Sequence, residues 1–449
     1  MASELFDELR DFLTSNWDPE LTVEQWWERL GLAGWSAPSL PENAFGRGLS
    51  RSDSVQVQQI IGAHGALPAP GGLGLLLAAP TIATHGTQEQ INRFVKDIVT
   101  GKRAWCQLFS EPGAGSDLAG LGSRAELDGD EWIVNGQKVW TSGGHVADMG
   151  MLIARTNFEA PKHQGITYFG INMHQPGMDI RPLKEMTGHA LFNEVFMSDA
   201  RVHNDSMIGA KNNGWAVANS TLMFERAGLG SGGSGAVSAA IPGTIGGHLP
   251  KRAGDFVRAK TPKPTTAKAL TADAVTADAP AVSNTSIAAA RSSGIAQFVA
   301  LAKTRGVLGD PTVRQQLATM HTLMEIGRFN GERVKAARTQ GQEIPGMANI
   351  GKLSMSIIVR LQRDLGLAIA GPSGMLHAYN DTDRKALDAA TGEPQMAMIT
   401  GMALYAQAPP IYGGTDQIQR NILAERALGL PKDPGIDAKT PFSQMVKNG

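Results

Sequence analysis

The sequence predicts an α+β protein of three domains, with helices at both ends of the chain and strands between them. Residues 3–104 space their apolar side chains as helices do. From Trp105 to about Arg201 the apolar residues fall into short segments bounded by proline, glycine and asparagine, which is typical of strands. Helical spacing returns after Gly214. We therefore expect an N-terminal α-helical domain at 1–104, a central β-domain at 105–208 and a C-terminal helical bundle at 209–449.

The N-terminal domain is predicted from amphipathic spacing and from one helix start. Val23, Trp26, Trp27 and Leu30 recur at helical intervals. Thr87, in the run Gly-Thr-Gln-Glu-Gln, is placed to cap the following helix. These patterns indicate a packed helical domain.

The central domain is predicted from β-prone segments that follow one another at short intervals. They lie at 151–155, 166–171, 179–183 and 192–197. Strands at this spacing favour a small barrel or sandwich.

Asn135-Gly136 stands between two apolar runs, 132–134 and 138–140. Asn-Gly is the strongest short hairpin signal, because a type I′ turn needs positive φ at both central residues. We therefore predict a hairpin that turns at Asn135-Gly136 and ends in Trp140, Thr141 and Ser142. An aromatic ring beside two hydroxyls suits a flat ligand with polar edges, although an ordinary surface hairpin has the same pattern.

A glycine-rich turn, Glu111 to Asp117, precedes the predicted hairpin. Gly113 and Gly115 permit close approach of the backbone to a bulky ligand. Ser116 and Asp117 end the turn with a hydroxyl and a carboxylate.

The helix after Gly214 places a carboxylate on an apolar face. Its helical face is formed by Trp215, Ala218, Leu222, Glu225 and Leu229. Burying an unpaired carboxylate is unfavourable, so Glu225 needs a partner or a chemical purpose. The adjacent Arg226 could supply the partner.

Residues 232–290 differ in composition from the rest of the chain. They are glycine-rich at first and then an Ala/Thr/Pro/Lys/Asp tract without aromatic residues. Such a tract buries too little apolar surface to offset its ordering entropy. We expect an insertion between two bundle helices that is largely mobile. Helices resume from Ile295, with breaks at 306–311 and 371–374.

Charge and composition exclude several classes of function. The formal charge is −1 at pH 7, which does not favour binding to nucleic acid or an anionic membrane. No apolar run approaches the ~20 residues of a membrane span, and the acidic N-terminus does not resemble a targeting signal. Cys106 is the one cysteine, so no intramolecular disulfide is possible, and its neighbours favour a packed thiol. We expect a cytoplasmic protein, and nothing predicts a metal site.

Three pieces of the sequence together resemble the acyl-CoA dehydrogenase family. They are SEPGAGSD at 110–117, NGQKVWTS at 135–142 and YGGTDQIQRNILAER at 412–426. The resemblance covers nearly the whole chain outside 232–290. It implies a subunit that binds FAD and oxidises an acyl-CoA thioester to the trans-2-enoyl-CoA. It also implies electron-transfer flavoprotein or a similar acceptor, and a homotetramer or a mixed tetramer with a related subunit.

The resemblance implies roles for individual residues. Ser110, Trp140 and Ser142 would contact the isoalloxazine ring, with Thr141 between them in the flavin site. Ser116 would contact the CoA arm of the substrate. The FAD of this or a neighbouring subunit would be contacted by Arg305, Thr415 and Gln417.

The position of the catalytic base departs from many family members. Those members carry a Glu directly after the Tyr of the last motif, where this chain has Gly413. The isovaleryl- and long-chain-type members instead carry the base in a Glu-Arg pair on the first bundle helix, which Glu225-Arg226 resembles. We therefore predict Glu225 as the base, Arg226 beside the substrate, and the backbone N–H near Gly413 as a donor to the enolate oxygen.

Two other segments depart from the family pattern at the adenine end of the FAD. Residues 305–309 keep the Arg and the last Gly of Arg-x-x-Phe-Gly but lack the Phe, and 368–372 lack the Gln of Gln-x-x-Gly-Gly. Three interpretations follow: a catalytic dehydrogenase, a non-catalytic subunit of a mixed tetramer, and an acyl-CoA oxidase. The colour of the purified protein separates the first two, and hydrogen peroxide release separates the first and third. Small residues beside Glu225 favour a branched or bulky acyl group.

Overall fold

The structure, a computed structural model, describes residues 2–230, 238–257, 284–393, 396–432 and 439–445. Its elements follow the predicted order of helices, then strands, then helices. Within the described ranges, no helix combines the length and the apolar composition that a bilayer crossing requires.

The N-terminal domain packs its helices around buried tryptophans. Trp26 and Trp27 are fully buried, and their ring nitrogens donate to the carbonyls of Leu67 and Pro68 at 2.7 and 2.8 Å. Thr87 caps its helix in a capping box with Gln90, which confirms the predicted helix start. The helices are α1 (Ala2–Asn16), α2 (Val23–Leu32), α3 (Arg51–His64), α4 (Ala79–His85), α5 (Gln88–Gln90) and α6 (Lys96–Val99), with π-helical turns at Gly74–Ala78 and Ile91–Val95.

The central domain is one eight-stranded sheet. Its strands are β1 (Trp105–Leu108), β2 (Arg124–Asp128), β3 (Glu131–Ser142), β4 (Met149–Arg155), β5 (Ile166–Asn172), β6 (Met178–Leu183), β7 (Phe192–His203) and β8 (Met207–Ile208). The order is β6-β7-β3-β2-β4-β5-β8, and β1 pairs in parallel with β4.

Successive side chains along the strands of the sheet pack into two different hydrophobic cores. Leu152 and Phe169 belong to the core of the sheet itself, whereas their neighbours Ile153 and Tyr168 pack with the helices of the N-terminal domain and the bundle. Period-two alternation produces this division, because successive side chains point to opposite faces. Cys106 lies fully buried in the sheet core, and burial raises the pKa of its thiol to about 12. The prediction of a packed thiol is confirmed.

The predicted hairpin turn at Asn135-Gly136 is wrong. Both residues lie inside the continuous strand β3, at a register shift against β7. A Cβ at position 136 would overlap Ser123, so glycine is needed for close strand approach rather than for a turn. The hairpin instead turns at Gly129-Asp130, between β2 and β3, where Gly129 has φ +65°. A two-residue Gly-Asp loop is also a hairpin signal.

The C-terminal bundle is organised around one long helix. Its helices are α7 (Gly214–Gly230), α8 (Asn284–Thr304), α9 (Pro311–Thr339), α10 (Met347–Ala370), α11 (Asp381–Thr391), α12 (Met396–Tyr405) and α13 (Asp416–Ile422). Helix α10 contacts α7, α8, α9, α12 and α13. The predicted break at 306–311 lies between α8 and α9, apart from Pro311, which begins α9. The α-helix α10 ends before 371–374 as predicted, and these residues form a 3-10 turn, Gly371–Met375.

Part of the predicted insertion is docked on the N-terminal domain. Residues 238–257 offer the carbonyls of Lys251 and Leu249 to the first N–H groups of α2, at 2.9 and 3.0 Å. The backbone N–H of Gly243 donates to the carbonyl of Gly101 at 2.8 Å. The prediction of a largely mobile insertion is therefore wrong for 238–257. Composition describes the segment alone, whereas its order here comes from hydrogen bonds to distant residues of the N-terminal domain. Residues 231–237 and 258–283 lie outside the described part of the chain.

Candidate active site

An exposed aromatic side chain marks one end of the central sheet. Trp140 lies at a bulge of β3, where the pairing with β7 shifts between Lys138 and Thr141. Its φ is +62°, and its side chain is 61% exposed, with the ring edge-on to Phe192. Left-handed backbone at a tryptophan is unfavourable by roughly 1–2 kcal/mol. Such strain is concentrated at functional sites, and here it turns a large ring toward solvent.

Three predicted site residues meet at this edge. The N–H of Val139 donates to the carbonyl of Ser110 at 2.9 Å, which brings Ser110 beside Trp140. Ser142 is exposed two residues further on. Thr141 differs, because it is fully buried. Its hydroxyl oxygen and the side-chain oxygen of Asn193, its partner on β7, have no hydrogen-bond partner among the described atoms.

A buried ion pair joins the glycine-rich turn to β3. Lys138 donates to the Glu111 carboxylate at 2.8 Å and to the carbonyl of Phe109 at 3.0 Å. The backbone N–H groups of Gly122 and Ser123 donate to the same carboxylate. Burial raises the pKa of Glu111, but the Lys138 charge and these hydrogen bonds outweigh it and hold the pKa below the usual value.

Ser116 is exposed on the glycine-rich turn. The neighbouring Asp117 accepts from Lys162 at 3.1 Å. Lys162 belongs to the loop 156–165, which joins β4 to β5. The Asp117 end of the glycine-rich turn is therefore attached to that loop, whereas its Glu111 end is attached to β3.

Helix α7 has the amphipathic arrangement that its sequence predicts. Val217 and Ala218 are buried. The hydroxyls of Thr221 and of Thr81 in α4 share a hydrogen bond of 3.0 Å. Trp215, Leu222 and Glu225 are half-buried, whereas Asn219 and Met223 are exposed. Glu225 therefore lies at the margin of the buried face. The side chains of Arg226 and Leu229 lie outside the described residues.

The exposed side of α7 forms one wall of an open cleft of about 510 Å³. The residues lining it are His163, Trp215, Asn219, Ser220, Met223, Arg426 and Lys432. No carboxylate is among them, and three carry or can accept positive charge. Burial and the nearby Lys162 lower the pKa of His163, whose ring lies 5.0 Å from that of Trp215. Sequence reasoning missed His163 and Lys432, because only the fold brings them to α7.

The C-terminal motif forms a tight turn followed by α13. Gly413 and Gly414 have φ +63° and +79°, and the carbonyl of Gly413 accepts from the Gln419 side chain at 2.8 Å. Thr415 caps α13 by accepting from the N–H of Ile418. Gln417 is exposed. Helix α10 contacts both α7, which carries Glu225, and α13, which follows the Gly413 turn.

Arg305 binds the end of α10. Its guanidinium donates to the carbonyl of Ala370 at 2.9 Å and to the Ser373 hydroxyl at 3.2 Å. This side chain therefore stabilises the Gly371-Pro372 turn of its own chain.

Family models match all three domains of the chain. The N-terminal, middle and C-terminal domains of acyl-CoA dehydrogenases match residues 3–102, 106–200 and 273–428. Acyl-CoA dehydrogenase IpdE1 of Mycobacterium tuberculosis is 33% identical over 408 residues, covering 91% of this chain and 88% of the relative. The chain belongs to the acyl-CoA dehydrogenase family. The three-domain family fold and the resemblance seen in the sequence are thereby confirmed.

Solved structures of acyl-CoA dehydrogenases share the fold of the chain. The Tcur3481-Tcur3483 steroid ACAD matches with a TM-score of 0.65 at 24% identity, covering 96% of this chain and 98% of that one. The ChsE4-ChsE5 complex from Mycobacterium tuberculosis matches with a TM-score of 0.64 at 24% identity, with the same coverage.

Proposed function

We propose that this acyl-CoA dehydrogenase family member removes the α-proton and the β-hydrogen of an acyl-CoA thioester, with Glu225 as the general base. The observation that carries the proposal is the placement of α7. One side of this helix lines the cationic cleft, and Glu225 lies half-buried at the margin of its other side. Gly413 at the alternative position of the base leaves this carboxylate as the candidate.

The Trp140 edge has the features that an FAD isoalloxazine requires. Trp140 offers an exposed aromatic face, and Ser110 and Ser142 offer hydroxyls beside it. The unpaired oxygens of Thr141 and Asn193 lie directly behind this edge. When bound, FAD supplies a two-electron acceptor that takes the β-hydrogen as hydride. The protein residues position it and exclude solvent from one face.

The cleft suits the phosphate groups of CoA. Arg426 and Lys432 supply positive charge to a cleft whose lining contains no carboxylate, and Trp215 supplies an apolar surface. The neutral ring of His163 can donate a hydrogen bond to a phosphate oxygen. Ser116 and Arg226, which the family motif assigns to the substrate, belong to the turn and the helix at its margin. Thr415, Gln417 and Arg305 are proposed at FAD in this or a neighbouring subunit.

The base and the oxyanion donor act on opposite ends of one enolate. Glu225 accepts the α-proton while the β-hydrogen leaves with its electron pair, and the C–C bond becomes the trans double bond. The N–H of Gly413 would donate to the thioester oxygen as charge develops there. A half-buried carboxylate within reach of the α-carbon suits this transfer.

We further propose that the chain works in a mixed tetramer with a related subunit. Two fold relatives, the Tcur3481-Tcur3483 steroid ACAD and the ChsE4-ChsE5 complex, are named for two different chains. Arg305 is engaged with the end of its own α10, and Pro372 stands where the family has glycine. These departures also favour a second candidate function, a non-catalytic subunit. Both candidates predict assembly with a partner, but only the first requires Glu225 for turnover.

The test is anaerobic loss of flavin absorbance on adding acyl-CoA, wild type against Glu225→Gln. The substitution keeps the side-chain volume but removes proton affinity, so the rate is expected to fall by roughly 10²–10⁴. Flavin content and thioester binding should persist. The substrate panel should include branched and polycyclic acyl groups, and the protein should be prepared alone and with a co-expressed related subunit.

Glu332→Gln is the matched control, because Glu332 is an exposed carboxylate paired with Arg328 on α9. It should leave the rate unchanged. Bleaching of Glu225→Gln at the wild-type rate would assign the proton to another residue. Wild-type protein that carries flavin but never bleaches would favour the non-catalytic role.

A further inference from the structure

The described C-terminal residues dock on the loop 156–165. The N–H groups of Phe442 and Ser443 donate to the carbonyls of Ala160 and Phe158, at 3.0 and 2.8 Å. The Ser443 hydroxyl donates to Glu159 at 3.0 Å. Phe442 is buried and its ring lies 5.8 Å from that of Phe158. Four contacts of different kinds therefore fix residues 440–445 to the outer side of this loop.

Phe442 also covers a buried cation at the base of the loop. The guanidinium of Arg155 lies 3.5 Å from the centre of the Phe442 ring. Arg155 is fully buried and makes no ion pair within the described part of the chain. It donates instead to the carbonyls of Leu121, Lys162 and Ala119, at 3.1, 3.1 and 2.6 Å. A desolvated guanidinium gains from an aromatic face, so Phe442 stabilises this arrangement.

One of the groups that Arg155 binds is adjacent in sequence to a residue of the cleft. Its bond to Lys162 fixes the residue before His163, which lines the cleft. Its bonds to Ala119 and Leu121 fix the chain after the Ser116 turn. The ion pair of Lys162 with Asp117 joins the two segments. Displacing Phe442 would therefore loosen the loop that carries His163 and the Ser116 turn together.

We propose that residues 440–445 are a positioning clamp for the CoA end of the cleft, with Phe442 as its central side chain. This inference rests on the proposed function, because it takes the cleft as the site of the CoA phosphates. The clamp makes its contacts with the loop 156–165 and with Arg155. It should therefore influence substrate binding and leave the chemical step alone.

The test compares wild type, Phe442→Ala, Phe442→Tyr and Gln444→Ala in the flavin-containing assembly. Calorimetric titration with CoA should show an affinity about tenfold weaker for Phe442→Ala, and KM for a good acyl-CoA should rise similarly at unchanged kcat. Phe442→Tyr retains the ring and should restore binding. Gln444 is exposed on the same segment, so Gln444→Ala should match wild type. With the acyl-pantetheine thioester, which lacks the nucleotide, wild type and Phe442→Ala should agree.

Two outcomes would overturn the clamp. One is CoA affinity that is unchanged in Phe442→Ala, and the other is an equal loss with acyl-CoA and acyl-pantetheine, which would indicate a general structural defect. Wild-type protein that binds no CoA would refute the proposed function as well. Binding of CoA to wild type with no effect of Phe442→Ala would refute the clamp alone.

Discussion

An ion pair between Glu111 and Lys138 connects the two family motifs of the central domain. Glu111 is the second residue of the motif 110–117 and Lys138 lies in the motif 135–142. The pair is almost completely removed from solvent. Two backbone N–H groups complete the shell of the carboxylate. The pair fixes the glycine-rich turn against β3, and with it the position of Ser110 beside Trp140.

Glu111→Gln should destabilise the fold by about 3 kcal/mol at pH 7, because it leaves Lys138 buried without its counter-charge. The folded pKa of Glu111 lies below its ordinary value of 4.5. The contribution of the carboxylate is therefore complete above about pH 4.5 and is lost as the pH falls through the folded value. Urea unfolding at several pH values should show the two proteins converging in acid.

Glu126→Gln is the control for this measurement, since Glu126 forms an exposed pair with Arg124. It should change the unfolding free energy little. A gap between wild type and Glu111→Gln that stays constant from pH 7 to acid would show that the lost interaction is not ionic.

At the scale of elements, residues 238–257 tie the N-terminal domain to the central sheet. Asp148, just before β4, accepts from the N–H of Ala104 at 2.7 Å and from the N–H and hydroxyl of Thr244. Ala104 belongs to the short link between α6 and β1. The docked segment therefore closes over the junction of two domains.

Asp148→Ala should open this junction locally, because the part-buried N–H groups at 104 and 244 lose their acceptor. Amide hydrogen exchange at 101–104 and 240–244 is expected to accelerate about 10- to 100-fold, with little change in the bundle. Asp255→Ala, at an exposed ion pair of the same segment, is the matched control. Exchange that is equally fast in wild type would mean that the segment is not docked.

At the scale of the whole molecule, α9 and α10 each expose large apolar side chains. Ile326 and Phe329 of α9 and Ile350 and Ile357 of α10 are exposed, and exposed apolar residues that cluster mark interaction sites. We expect these helices to contribute to the interface of the proposed mixed tetramer.

Phe329→Glu should therefore weaken assembly, because a carboxylate placed in an apolar contact must be desolvated. Sedimentation of the co-expressed complex should shift toward smaller species, at unchanged helical content. Thr319→Glu, exposed elsewhere on α9, is the control. Assembly that persists in Phe329→Glu would place the interface on another face.

The sequence by itself determined the order of the domains and most element positions, because helical and strand periodicities are local. It also determined the family, since its motifs are contiguous stretches such as 110–117 and 135–142. It did not determine whether Asn135-Gly136 forms a turn or a bulge, because glycine is favoured in both. The close approach of Ser123 to Gly136 inside β3 shows that the two residues belong to a strand irregularity.

Only the tertiary structure decided which separate segments meet. The cleft unites His163, Trp215 and Lys432 from three regions, and residues 238–257 fold onto helices more than two hundred positions earlier. Phe442 reaches Arg155 in the same way. Contacts over such separations depend on how the domains pack together, and the local sequence pattern of a segment does not determine that packing.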